Sequence, residues 1–237
     1  MREKKEKGLM MSETLEFEDR LSAVNGRISM ACDKAGRSLD SVKLLAVSKT
    51  KPPEAVELAA KCGLRFFGEN KVQEAQAKVP VCSDYIEWHL IGHLQSNKAK
   101  IAANLFHMIH SVDSLKIMRA LDNYAEQTLP ILLQVNIAGD AVKFGLKPEE
   151  VSLVLKEANQ SAHCEVRGLM TIPPFSPDPE KTRKHFYDLR ILRDELEQEV
   201  GMPLPELSMG MSHDLEVAIE EGSTWVRVGT DLFGARV

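Results

Sequence analysis

The chain has 237 residues, 43% of them hydrophobic and 27% charged, with a formal net charge of −5. That length fits one large domain or two small ones with a sizeable core, and the acidic balance gives no general attraction for nucleic acid or an anionic membrane. No apolar run approaches the ~20 residues of a membrane span, and Cys32, Cys62, Cys82 and Cys164 lack CxxC spacing, which argues for reduced thiols in a cytoplasm rather than a disulfide framework or zinc site.

The opening stretch, MREKKEKGLMMSETLEFED, starts basic but lacks the apolar segment of a secretory leader. Residues 1–12 are expected to form a flexible tail, with Met10 or Met11 as an alternative start, and residues 13–237 one domain. A helical region follows over roughly 13–36. Apolar or β-branched runs then recur: KLLAVS (43–48), LRFFGE (64–69), IEWHLIG (86–92), HMIHSV (107–112), PILLQVNI (130–137), CEVRGLMTI (164–172), ELSMG (206–210) and WVRVG (225–229). Helix-like segments separate them. Val151, Val154, Leu155 and Ala158 share one helical face, as do Phe186, Leu189, Leu192 and Leu196, with Gly201 closing the second segment.

Eight strands alternating with helices predict a single parallel (β/α)8 barrel of the TIM type. A doubly wound open sheet would carry a GxGxxG turn after its first strand, where this chain reads SKTKPP. Little chain follows the eighth strand, so the N-terminal helical region is expected to cover the gap in the outer wall. His89 and His93 are four apart, but WHLIGHL is strand-like and lacks an HExxH pattern, which argues against a metal site.

Barrel chemistry gathers at the C-terminal ends of strands. Lys49 stands there on strand one, after the run Leu44–Val47 and before Pro52 and Pro53. It reads either as an exposed loop lysine or as an amine held in a partly desolvated pocket, with its pKa lowered and able to condense with a carbonyl. In LSMGMSHDLEVAIEEG, Ser212 fits a helix N-cap with Asp214 in the first turn, or a phosphate ligand at the helix start, with Asp214 then turned outward. In WVRVGTDLFGAR, Arg227 interrupts a strand, where a carboxylate partner is one reading. Gly229 and Thr230 follow it, offering close backbone approach and N–H groups to an anion. A lysine on strand one and an anion cradle on strands seven and eight together describe a pyridoxal 5′-phosphate (PLP) pocket.

The blocks AVSKTKP, FGENKVQEAQAK, WHLIGHLQSNKAK, RGLMTI, LSMGMSHDLEVAI and GSTWVRVGTDLFGAR, in this order from about residue 13 to the C-terminus, resemble the pyridoxal phosphate homeostasis protein family. The resemblance implies a fold like the N-terminal barrel domain of alanine racemase, with an extra N-terminal helix and no second domain. It implies PLP as cofactor, linked as an aldimine to Lys49, with phosphate contacts from Ser212, Gly229 and Thr230, Arg227 facing the pyridine nitrogen and Asn70 lining the pocket. Lys143 matches a secondary cofactor lysine of the family, although Ala138, Asp140 and Val142 depart from the usual loop, and His213 replaces an acidic residue. The implied function is a non-catalytic carrier that sequesters PLP, serves vitamin B6 and amino-acid homeostasis, and hands the cofactor to apo-enzymes as a monomer or weak homodimer. A PLP-dependent amino-acid racemase is the alternative. It would need a second proton donor at the mouth, and Tyr85, Tyr124 and Tyr187 are expected before strand three or on outer helices.

Overall fold

Alternating apolar runs too short to stand alone must pair with one another, and in this chain they close on themselves. The computed structural model describes residues 2–140 and 142–234, with side chains from residue 11. The tail expected over 1–12 lies almost wholly outside the residues whose side chains are described. Strands β1 (Lys43–Val47), β2 (Phe66–Glu69), β3 (Glu87–Leu90), β4 (Met108–Val112), β5 (Leu129–Gln134), β6 (Cys164–Met170), β7 (Glu206–Met211) and β8 (Trp225–Val228) form a closed parallel barrel in chain order. Every expected run contributes its strand. The barrel closes through β1 and β8, with Leu45 opposite Arg227 and Ala46 opposite Val228.

Helix α1 (Arg2–Lys34) precedes the barrel, and α2 (Pro53–Lys61), α3 (Val72–Lys78), α4 (Ala99–Leu105), α5 (Leu115–Tyr124), α6 (Pro148–Ala158), α7 (Arg183–Val200), α8 (Leu215–Glu220) and α9 (Thr230–Phe233) follow the strands. Pro53 opens α2 at its first position, where the missing N–H costs nothing. Val151, Val154, Leu155 and Ala158 of α6 are buried as their spacing requires. In α7, Phe186, Leu189 and Leu196 are buried, and Gly201 ends the helix at φ 70°, a left-handed conformation that suits glycine.

The short α8 and α9 leave part of the wall open, and α1 closes it. Arg27 pairs with Glu216 and Asp231, each at 2.6 Å, and donates to the Ser212 carbonyl at 2.8 Å. Arg20 donates to the Leu232 carbonyl at 2.8 Å, and the rings of Phe17 and Phe233 lie 5.6 Å apart.

Two apolar bodies result. One fills the space between strands and helices, with Ala46, Phe67, Leu90 and Phe186 among its members. The other fills the barrel, with Leu45, Ile91, Met108, Leu132, Met170 and Trp225 at its centre and Val47 against it. Leu45 and Val47 face inward while Ala46 faces outward, the two-residue period of a strand. β1 ends at Val47, and Lys49 stands two residues beyond it.

Candidate functional site

The turn after β1 is held from behind. Ser48 is fully buried; its N–H donates to the Gly68 carbonyl at 3.1 Å and its hydroxyl to Glu69 Oε1 at 2.6 Å. Lys78, at the end of α3 and only 4% exposed, donates to the Ser48 carbonyl (2.8 Å), Glu69 Oε1 (2.7 Å) and Glu74 Oε1 (2.8 Å). Glu74 also accepts the N–H of Thr50. Thr50 adopts φ 65°, a left-handed conformation costly for a β-branched residue and held here by that network. Burial raises the Glu69 carboxyl pKa against the opposing effect of its bonds to Lys78 and Ser48. Lys49, half-buried, is thus carried on a turn that the neighbouring ion network fixes. Lys51 donates to the Phe233 carbonyl at 2.9 Å and lines the same cavity as Lys49.

Lys49 shares a cavity of about 50 Å³ with Val47, Thr50, Gly229, Thr230 and Phe233. Three of the expected site residues, Lys49, Gly229 and Thr230, therefore meet in one place. Arg227 lies two residues before Gly229, inside the barrel and 3% exposed. Its partners are not carboxylates: Nη1 donates to Ser208 Oγ at 2.7 Å and Nη2 to the Thr171 carbonyl at 2.9 Å. Desolvation lowers its pKa to about 10, against the attraction of Asp214. It stays cationic at neutral pH.

Ser212 follows the last residue of β7, but it does not cap the next helix. Asp214 stands at the N-cap of α8, is buried rather than outward, and accepts the Met211 N–H through Oδ1 at 2.7 Å. That bond closes the β7–α8 turn, and α8 begins at Leu215 with no side-chain bond at its N-cap, so the Ser212 hydroxyl has no capping role. Asn70 follows β2, and its buried Oδ1 meets no hydrogen-bond partner among the described residues.

Lys143 is held against the loop after β6, beside the carbonyl that Arg227 uses. Its amine donates to the carbonyls of Ile172 (3.1 Å) and Pro173 (2.6 Å), and burial lowers its pKa. Its neighbour Phe144 stacks on His93 at 3.8 Å, and His93 pairs with Asp113 at 2.6 Å. His89 faces elsewhere, buried against His110 at 2.9 Å. His213 reaches the Pro177 carbonyl at 3.1 Å and packs beside Phe175. Tyr85, Tyr124 and Tyr187 are all about half exposed, the last two on α5 and α7.

Sequence reasoning missed Glu69, Glu74 and Lys78 behind the lysine turn, and Ser208 and His110 beside Arg227. Glu74 and Lys78 carry one signal, an i,i+4 pair on α3. Ser208 and His110 carry none, being 98 residues apart.

A family model for the alanine racemase N-terminal domain matches residues 20–237. The chain is 46% identical to the pyridoxal phosphate homeostasis protein of Aquifex aeolicus, an alignment covering 92% of this chain and 97% of that one. It is similar to the structure of Synechococcus elongatus PipY with PLP bound, at 38% identity and TM-score 0.81 over 92% of this chain and 100% of that one. An alanine racemase structure from Clostridium difficile shares the fold, at TM-score 0.72 and 15% identity, with 92% of this chain covering 57% of that one. The barrel, its racemase-like topology and the near-complete alignment to these relatives place the chain in the pyridoxal phosphate homeostasis protein family.

Proposed function

We propose that this chain binds PLP at the mouth of its barrel, holds it covalently through the Lys49 amine, and carries and sequesters it rather than catalysing a reaction of its own. The observation that carries this reading is the meeting of Lys49, Gly229 and Thr230 in one cavity, two strand residues above the buried guanidinium of Arg227. When bound, PLP supplies an aldehyde that condenses with amines and a phosphate that needs hydrogen-bond donors.

Lys49, Gly229 and Thr230 line the cavity, and the other residues of the reading would have to reach a group bound there. Asn70 Oδ1, buried and unpartnered among the described residues, is an acceptor awaiting a donor such as a ring hydroxyl. A Cβ on Gly229 would come only to 3.4 Å of Val47, an ordinary contact, so the protein's own packing does not demand glycine there. A ligand brought close to that backbone would. Ser212 and Thr230 would donate hydroxyls to the phosphate. Arg227 would donate to the ring nitrogen, and its positive charge opposes protonation of that nitrogen. A ring kept unprotonated is a weak electron sink, which suits a carrier better than a transaminase.

Against the racemase alternative, all three tyrosines are about half exposed, and Tyr124 and Tyr187 lie on outer helices. Relatives named for homeostasis rather than for a reaction support the same reading. We place the activity in one domain over 13–237 and in the cytoplasm, serving vitamin B6 and amino-acid homeostasis by handing PLP to apo-enzymes, as a monomer or weak homodimer. Among the described residues no helix is long and apolar enough to cross a membrane.

Titration of PLP into the protein, followed by absorption, tests the reading. Wild type should develop a band of lysine-linked cofactor that Lys49→Ala lacks, with no exchange of amino-acid α-protons in deuterated water. Robust inversion of a free amino acid would refute the carrier.

A further inference from the structure

The barrel interior contains a polar string that the apolar filling around it does not predict. Arg227, Ser208, His110 and His89 sit on β8, β7, β4 and β3, each at most 3% exposed. The links are Arg227 Nη1 to Ser208 Oγ at 2.7 Å, Ser208 Oγ to His110 Nδ1 at 2.8 Å, and His110 Nε2 to His89 Nδ1 at 2.9 Å.

Donor chemistry gives this string one direction. A guanidinium has no acceptor, so Ser208 Oγ must accept from Arg227. Among the described residues its other partner is His110, so the hydroxyl proton goes to Nδ1. His110 then carries its own proton on Nε2 and donates to His89 Nδ1, which leaves the His89 proton on Nε2. His89 lines a second cavity, of about 380 Å³, at the opposite end of the barrel with Lys43, Arg65 and Trp225. Both imidazoles must be neutral for this order to hold. Burial keeps them so, with His89 lowered to about 3 and His110 lowered as well.

We propose that Ser208 and His110 are positioning residues for Arg227: His110 Nδ1 accepts the Ser208 hydroxyl's hydrogen bond, so that Ser208 stays an acceptor for Arg227 and fixes the guanidinium plane toward the ring nitrogen of a cofactor bound at the mouth. The proposal rests on the PLP reading above. The Thr171 carbonyl anchors Nη2 at 2.9 Å, and Ser208 supplies the second anchor that a planar fork needs to have its orientation set. Without His110 the Ser208 hydroxyl would be free to rotate its proton toward the cation. The competing account is that the string only satisfies buried polar groups.

Two measurements separate these. In 15N-labelled protein without cofactor at neutral pH, long-range 1H–15N correlation should show both His89 and His110 protonated on Nε2. Protonation of His110 on Nδ1 would overturn the directed chain, whatever the protein binds. With 15N-labelled PLP, Ser208→Ala should move the ring-nitrogen resonance downfield, as expected for a weakened donor, and weaken retention about fivefold, the worth of one hydrogen bond. Ser208→Thr, which keeps the hydroxyl, should restore both. If wild type binds PLP and Ser208→Ala leaves the resonance unchanged, the string is structural and the positioning role is wrong. If wild type binds no PLP, the functional reading itself fails, and the positioning role fails with it.

Discussion

The two cores of this barrel are built on different terms. Between strands and helices the filling is mostly apolar, from Ala46 and Phe67 on the strands to Leu155 and Phe186 on the helices, with the Ser48–Glu69–Lys78 network as a local exception. Inside the barrel, Leu45, Met108 and Met170 share the space with Arg227, Ser208 and two histidines. The outer layer follows from burial of apolar area and tolerates any filling of the right size. The inner one spends stability on buried polar groups, which persist only when hydrogen-bonded, and it lies directly beneath the mouth. The contrast separates what folds the chain from what serves its ligand.

Breaking the outer layer should cost the most stability and spare the chemistry of what remains folded. Phe186→Ala should destabilise by about 3–5 kcal/mol, read from the denaturant midpoint. Folded molecules should still take up PLP on Lys49. Lys78→Met tests the ion network behind the lysine turn. It leaves buried Glu69 and part-buried Glu74 without their cation and should cost about 3–5 kcal/mol. Adding Glu69→Gln should recover part of that loss, a coupling measured by the double-mutant cycle. Equal losses in the single and double variants would mean that the network does not act as a unit.

Smaller effects belong to the mouth and the inner string. Ser212→Ala and Thr230→Val each remove one hydroxyl from the proposed phosphate cradle and should weaken PLP retention about tenfold, since charge-assisted hydrogen bonds contribute about 1.5–3 kcal/mol. Unchanged affinity in both would move the phosphate elsewhere. The histidines predict a pH dependence. His89 falls from 6.5 to about 3 on folding, through desolvation first and then the charges of His107 and Lys43. His110 falls likewise, beside His89, Arg227 and Lys43. The unfolded chain therefore binds protons that the folded chain refuses. Stability should be fully present above about pH 6.5 and decline below it, by up to about 1.4 kcal/mol per pH unit for each histidine. Replacing both with apolar residues should flatten that slope.

The same contrast explains what was legible in the sequence. Strands and outer helices announce themselves through local periods, so every strand lies where its apolar run stands, and α1 fills the gap left by short α8 and α9. The inward facing of Leu45 and Val47 follows from two-residue alternation, with Lys49 two residues beyond. GMSHD was ambiguous because serine and aspartate both cap helices; the structure puts Asp214 at the N-cap position of α8 but turns its carboxylate back to the Met211 N–H rather than to the helix. Arg227 announced an inward cation, yet its acceptor Ser208 and the histidines beyond it come from other strands and meet only once the barrel closes.

The central claim is that Lys49 holds the cofactor. Loading the protein with PLP, reducing with borohydride and mapping the modified peptide by mass spectrometry tests it most directly. The account predicts the pyridoxyl mass on the peptide containing Lys49, and its loss from that position in Lys49→Ala. Modification found mainly on a peptide without Lys49, such as one carrying Lys143, would contradict it.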